Sequence, residues 1–182
     1  MEKLPRRCGN CTACCLTHKV DEIEKPGGVW CKHCTIGKGC KIYTDRPGGC
    51  ERFECQWLKG SFSDRERPDR SKVIVDFRTE GALGPTLQLF EVRSGSLNGR
   101  FAEEMTRGGL EHEYYVQHLL LSGKWTMFFP KGWTPSPGVI ELFEEEGGEI
   151  RLFKDIAWKI RTSGPRTYTP PTQLSETCIP II

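Results

Sequence analysis

The chain has 182 residues, 37% of them hydrophobic, with a mean hydropathy of −0.47 and a net charge of +2. That suits one domain, or a small module joined to a modest second one. No stretch approaches the roughly 20 apolar residues a membrane span needs, and Met1–Arg7 offers no apolar run for an export signal. The expectation is therefore a soluble cytoplasmic protein with no membrane partner.

Charge is unevenly spread. Met1–Lys72 holds 15 Lys and Arg against 10 Asp and Glu, and the remainder holds 11 against 14. A basic N-terminal part would ordinarily suggest nucleic acid, but no basic run here is interleaved with aromatics. Nucleic acid is thus the disfavoured partner, and a protein partner remains open.

Nine of the ten cysteines lie in the first 55 residues: Cys8, Cys11, Cys14, Cys15, Cys31, Cys34, Cys40, Cys50 and Cys55. The opening reads C-x-x-C-x-x-C-C and is followed by C-x-x-C, C-x5-C, C-x9-C and C-x4-C. Two residues between cysteines let a tight turn aim both sulfurs at one ion. Thiolates select zinc, copper(I) or iron–sulfur chemistry over magnesium or calcium. A disulfide framework is the rival, but it suits an exported chain, and two adjacent cysteines fit a simple disulfide ladder poorly. The expected cofactor is zinc, with iron or an iron–sulfur cluster as the alternative.

Cys14-Cys15 is the most informative detail. In extended chain, neighbouring residues point their Cβ atoms apart, so the pair suits two centres, or a bridge between them, better than one ion. Gly37-Lys38-Gly39 lets the backbone bend closely around a sulfur. Ile42-Tyr43, Phe53 and Trp57-Leu58 offer apolar cover, and Arg46 is placed to donate to a sulfur or to cap a turn. Of the histidines, His33 lies inside Cys31–Cys34 and is a further candidate ligand, and His18 is a weaker one. Cys178 reads as an isolated structural thiol.

Several of these motifs resemble the YkgJ-type cysteine-cluster family: Cys8-Gly9-Asn10-Cys11-Thr12-Ala13-Cys14-Cys15, Gly39-Cys40-Lys41-Ile42-Tyr43, Arg46-Pro47 and Cys50-Glu51-Arg52-Phe53-Glu54-Cys55. The family is described as a zinc- or iron-chelating domain, and a similar cluster occurs in flagellin lysine methylases. The resemblance covers residues 8–58. It implies that the metal ligands are Cys8, Cys11, Cys14, Cys15, Cys31, Cys40, Cys50 and Cys55. Cys34 is outside the common core, although a version like Trp30–Cys34 occurs in some members. Two four-sulfur tetrahedral sites would use all eight, whereas one four-cysteine iron–sulfur cluster would leave several spare. Eight thiolates on two divalent ions would leave about four negative charges, and the surplus Lys and Arg would then surround an anionic cluster.

Farther along, Lys59–Ser71 is charged and reads as a linker. Val73–Phe77 and Thr86–Val92 read as strands, and Leu97–Arg107 as a helix stopped by Gly108-Gly109. Leu110–Leu121 has near-helical apolar spacing, and Trp125–Phe129 reads as a strand closed by Pro130. Val139–Phe143 and Glu149–Phe153 around Gly147-Gly148 suggest a hairpin. A helix from Ser136 to Gly147 is the rival, opposed by Glu144–Glu146 at its C-terminal end. The tail from Thr162, with four prolines, reads as extended.

The expected fold class is α+β: an irregular metal-stabilised cysteine-cluster domain, residues 1–58, followed by a small mixed α/β-sheet domain. A linker at 59–71, the second domain at 72–160 and a tail at 161–182 complete the plan. G-x-S-x-G, H-E-x-x-H and a strand–helix G-x-G-x-x-G are all missing from the sequence. No catalytic residue is assigned and enzymatic activity is left open. The three readings are a zinc- or iron-chelating protein, an iron–sulfur protein with a redox or methylase-related role, and a zinc-stapled nucleic-acid or protein-binding module.

Overall fold

Val73–Arg78, Thr86–Glu91, Tyr115–Leu119, Trp125–Phe129 and Gly148–Leu152 form a five-stranded mixed sheet in chain order. The computed structural model describes residues 6–79 and 83–156. Preceding the sheet are short helices α1 (Ala13–Thr17), α2 (Gly48–Arg52) and α3 (Pro68–Ser71), with a two-residue ladder between β1 (Cys34–Thr35) and β2 (Gly39–Cys40). The sheet strands are then β3 to β7, with α4 (Arg100–Glu111) between β4 and β5 and α5 (Pro137–Glu145) between β6 and β7. Pairing is antiparallel for β3–β4 and β5–β6, and parallel for β4–β5 and β6–β7. A parallel neighbour needs a crossover, and α4 and α5 supply the two crossovers. The class is α+β.

Alternation along the strands sorts the core onto two faces. Val73, Val75, Phe77, Leu87, Leu89, Val116 and Phe128 meet Ala102, Met105 and Leu110 of α4 on one face. On the other, Tyr115, Met127 and Phe129 meet Val139 and Phe143 of α5. Ile74, Phe90 and Leu119 are register partners of one another and continue that second face. There they meet Ala13 of α1 together with Cys11, Cys14, Phe53 and Cys55. The cysteine-rich segment and α5 therefore cover different parts of one sheet face.

Three expectations are corrected. The helix expected to stop at Gly108-Gly109 runs through both glycines to Glu111. A Cβ on Gly109 would lie 2.8 Å from Val116 Cγ2 and 3.2 Å from Leu87 Cδ2, so bare backbone lets α4 settle onto the sheet. Leu110–Leu121 is not one helix. Leu110 and Glu111 close α4, Glu113 turns the chain at φ 63°, and Tyr115–Leu119 is a strand. The apolar spacing there was compatible with period two as well as with 3.6. The Val139–Phe153 hairpin is instead α5 followed by β7. Pro137 begins α5, and Val139 and Phe143, four residues apart, share its sheet-facing side. That contact outweighs the few tenths of a kcal/mol by which Glu144 and Glu145 oppose the dipole.

Alanine is the better helix former by about 1 kcal/mol, yet overpacking at such a contact costs about 1–3 kcal/mol. Gly109→Ala is therefore expected to lower the urea midpoint. An unchanged or raised midpoint would contradict the close approach of α4.

Lys59–Ser71 carries a 3-10 turn at Asp64–Glu66 and α3. Arg67 pairs with Asp69 at 2.5 Å, donates to Asn10 Oδ1 at 2.7 Å and lies 5.7 Å from the Trp57 ring centroid. Arg6 donates to the carbonyls of Trp57 and Phe62. The Thr162 tail and Cys178 lie outside the described residues.

Candidate metal centre

The N-terminal segment winds around α1. Cys11 N–H donates to Cys8 O at 3.0 Å and so closes the first C-x-x-C turn. Cys14 and Cys15 follow on α1. The chain returns at Cys31, whose N–H donates to Cys15 O at 3.0 Å, and Cys34 N–H donates to Cys31 O at 3.0 Å, closing the second turn. Cys34 then faces Cys40 directly across the β1–β2 ladder. Gly37, at φ 71°, turns that ladder, and its N–H donates to Thr12 Oγ1 at 3.2 Å. Cys50 comes from α2, where Gly49 N–H donates to Glu22 Oε1 at 2.9 Å. Cys55 is placed by its neighbour Gln56, whose N–H donates to Val75 O of β3 at 2.8 Å.

These nine cysteines carry free, partly buried thiols. Cys14 and Cys15 are on a helix, not in extended chain as expected, so their side chains diverge by about 100°. The Cys14 thiol is nonetheless oriented to donate to Cys15. Cys34 donates to Cys15 as well. The hydrogen bond from Cys14, then that from Cys34 and the charge of Lys25, together outweigh burial and hold Cys15 down at about 6. Donation to Cys15, then burial, hold Cys14 well above the usual thiol range. Burial first, then the Cys15 charge, push Cys34 up to about 11.

Packing and strand pairing set some thiols against the sheet and others around the β1–β2 ladder, and the two sets are within reach of each other, since Cys15 also acts on Cys8. Cys8 and Cys11 act on Cys14 and on Cys55. Cys15, Cys31 and Cys40 act on Cys50, and Cys15 and Cys31 act on Cys34. Cys14 and Cys15 are where the groups join. The first group adjoins the sheet, since Cys11, Cys14 and Cys55 pack on Ala13, Ile74 and Phe90. The second lies around the β1–β2 ladder and α2. His33 joins the ladder through its carbonyl, which accepts from Lys41 N–H at 2.8 Å. Arg46 stacks 4.2 Å from the Tyr43 centroid and acts on Cys8. Tyr43 is 49% exposed and thus covers less than expected, whereas Trp57 and Leu58 are buried.

Sequence reasoning underrated two residues. Lys25 is buried, and its Nζ donates to the carbonyls of Leu16, His18 and Pro26. It thereby caps the end of α1 and sets a cation within reach of Cys14, Cys15, Cys31 and Cys50. The basic surplus of this region was its signal. His18 is held between Phe53, 3.9 Å away, and Phe90, 4.4 Å away, with Nδ1 2.7 Å from Thr17 Oγ1. Its Nε2 is buried without a partner among the described residues. Burial, then Lys25 and Arg78, push this imidazole down to about 3. Nothing in the sequence marked it beyond its nearness to Cys15.

Nine thiols and a neutral buried imidazole nitrogen suit zinc or iron in donor chemistry. Their arrangement is a cluster of free thiols. Among the described residues no three Cys, His, Asp or Glu side chains converge as a ready-made coordination site. No helix among them is long and apolar enough to cross a membrane. No family model, curated protein or solved structure matches the chain.

Proposed function

We propose that this protein binds zinc, or iron in its place, through the cysteines gathered around α1. The observation that carries the reading is the grouping itself. Cys31 N–H donates to Cys15 O, Cys34 pairs with Cys40 across the ladder, and Cys11, Cys14 and Cys55 pack on Ala13, Ile74 and Phe90, so separate cysteine-bearing segments come together here. Burial favours the protonated thiol at most of these positions, and a bound cation would supply the charge that lets them ionise. The resemblance to the YkgJ-type cluster supports the same reading, with Cys8, Cys11, Cys14, Cys15, Cys31, Cys40, Cys50 and Cys55 as the ligands.

Two four-sulfur zinc centres fit the division into a Cys14 group and a Cys15 group. Such centres leave no open coordination position, so the metal would hold the segment in shape, or be carried, without hydrolysing a substrate. An iron–sulfur cluster with a redox role is the competing assignment, and colour after anaerobic purification separates the two. Cobalt(II) tests the reading directly. Anaerobic titration should give intense sulfur-to-cobalt absorption that saturates at two equivalents and is reversed by zinc. Absorption typical of oxygen ligation, or none, would contradict thiolate coordination.

A further inference from the structure

The two edges of the sheet differ. At the β3 edge, Gln56 N–H donates to Val75 O, so the chain itself caps that strand. At the other edge stands β7, and among the described residues β6 is its only neighbouring strand. The outward N–H and C=O groups of such a strand are a template for pairing. The side chains of β7 sort by face. Ile150 and Leu152 join the core that Val139 and Phe143 of α5 cover. Glu149 and Arg151 alternate with them, so they project to the opposite face, and their side chains are 56% and 54% exposed. Gly148-Glu149-Ile150-Arg151-Leu152 thus carries opposite charges placed symmetrically about Ile150.

We propose that β7 is a self-association edge, on which a second copy of this chain pairs antiparallel about a two-fold axis at Ile150. The contact joins the two five-stranded sheets edge to edge and does not depend on the metal-binding reading. Being isologous, it sets Ile150 opposite its own copy and makes each Glu149 face Arg151 of the other chain. Residues directly opposed on an antiparallel pair lie on the same face within reach of one another, and opposite charges there are favourable. Charge also fixes the register. A one-residue slip would turn the α5 faces apart, and a two-residue slip opposes Glu149 to Glu149 or Arg151 to Arg151, which is destabilising. The helices fit as well. Strands lie about 4.8 Å apart, so two α5 helices packed over β6 and β7 would come to about 10 Å, the spacing at which helices pack. With Val139 and Phe143 facing the sheet, Ile140 and Leu142 fall on the two flanks of α5, and both are exposed. One of those flanks would meet α5 of the second copy.

Sedimentation of the full chain over a concentration series tests this, with a reductant present so that no intermolecular disulfide is counted. Wild type should show a monomer–dimer equilibrium. Arg151→Glu and Glu149→Arg each oppose like charges in both pairs and should each weaken dimerisation about tenfold or more. Mixing the two variants restores opposite charges across the edge and should give a heterodimer of near wild-type strength. The double exchange, Glu149→Arg with Arg151→Glu, should dimerise again by itself. A variant that merely misfolds would not be rescued by its complement. The proposal is overturned if wild type stays monomeric throughout, whether β7 is then bare or covered by residues 157–182 or by another protein. It is equally overturned if both single variants dimerise as wild type does, or if their mixture forms no heterodimer.

Discussion

Stripping the metal should unfold the cysteine-rich segment and leave most of the sheet standing. Residues 8–55 contribute few fully buried apolar side chains, chiefly Ala13, Leu16 and Val20. A structural zinc in a small module supplies about 10–16 kcal/mol at neutral pH, as much as the whole stability of an ordinary domain, about 5–15 kcal/mol. The face of the sheet that meets α4 is closed by Val73, Val75, Leu87, Leu89, Val116 and Phe128 without any cysteine. After chelation, amide exchange should show lost protection across 8–55 and kept protection in β4, β5 and β6. Strand β3 should lose part of its protection, because Gln56 and the Ile74 contact hold its other side. Uniform loss along the chain would mean that segment and sheet fold as a single unit.

Replacing Cys14 and Cys15 one at a time should damage different centres. Cys14 packs with Cys11 and Cys55 against Ala13, Ile74 and Phe90, while the backbone of Cys15 receives Cys31 N–H at the start of the second turn. With cadmium in place of zinc, wild type should give two metal resonances. Cys14→Ser should shift or remove one of them, and Cys15→Ser the other. If each variant perturbed both resonances equally, the two sulfurs would bridge the ions. A single resonance indifferent to one variant would make that cysteine a spare thiol and contradict the two-centre arrangement.

The strands were legible where composition and length agreed. Trp125–Phe129 has the same bounds in sequence and structure, and Val73–Phe77 is extended by one residue. Glycine was misleading in α4, because Gly108-Gly109 stop an isolated helix but permit close packing when a sheet lies beneath. The acidic run of α5 misled in the same way, since a weak dipole effect was weighed without the contacts of Val139 and Phe143. The nine cysteines from Cys8 to Cys55 were legible as a cluster by their spacing. Which of them pack on the sheet was not, because it depends on where Cys55 returns through the Gln56–Val75 hydrogen bond and on which face of α1 meets Ile74 and Phe90. Lys25 and His18 were hidden for the same reason. Burial makes one an internal cation and leaves the other with an unpartnered nitrogen, and spacing records neither.

If these thiols hold metal as proposed, elemental analysis of the protein purified without oxygen or added metal will show it. Close to two zinc ions, or a stoichiometric quantity of iron, are expected per chain, with Cys8 to Cys55 protected from alkylation until a chelator is added. No stoichiometric metal, with intramolecular disulfides among the same cysteines by mass spectrometry, would contradict it.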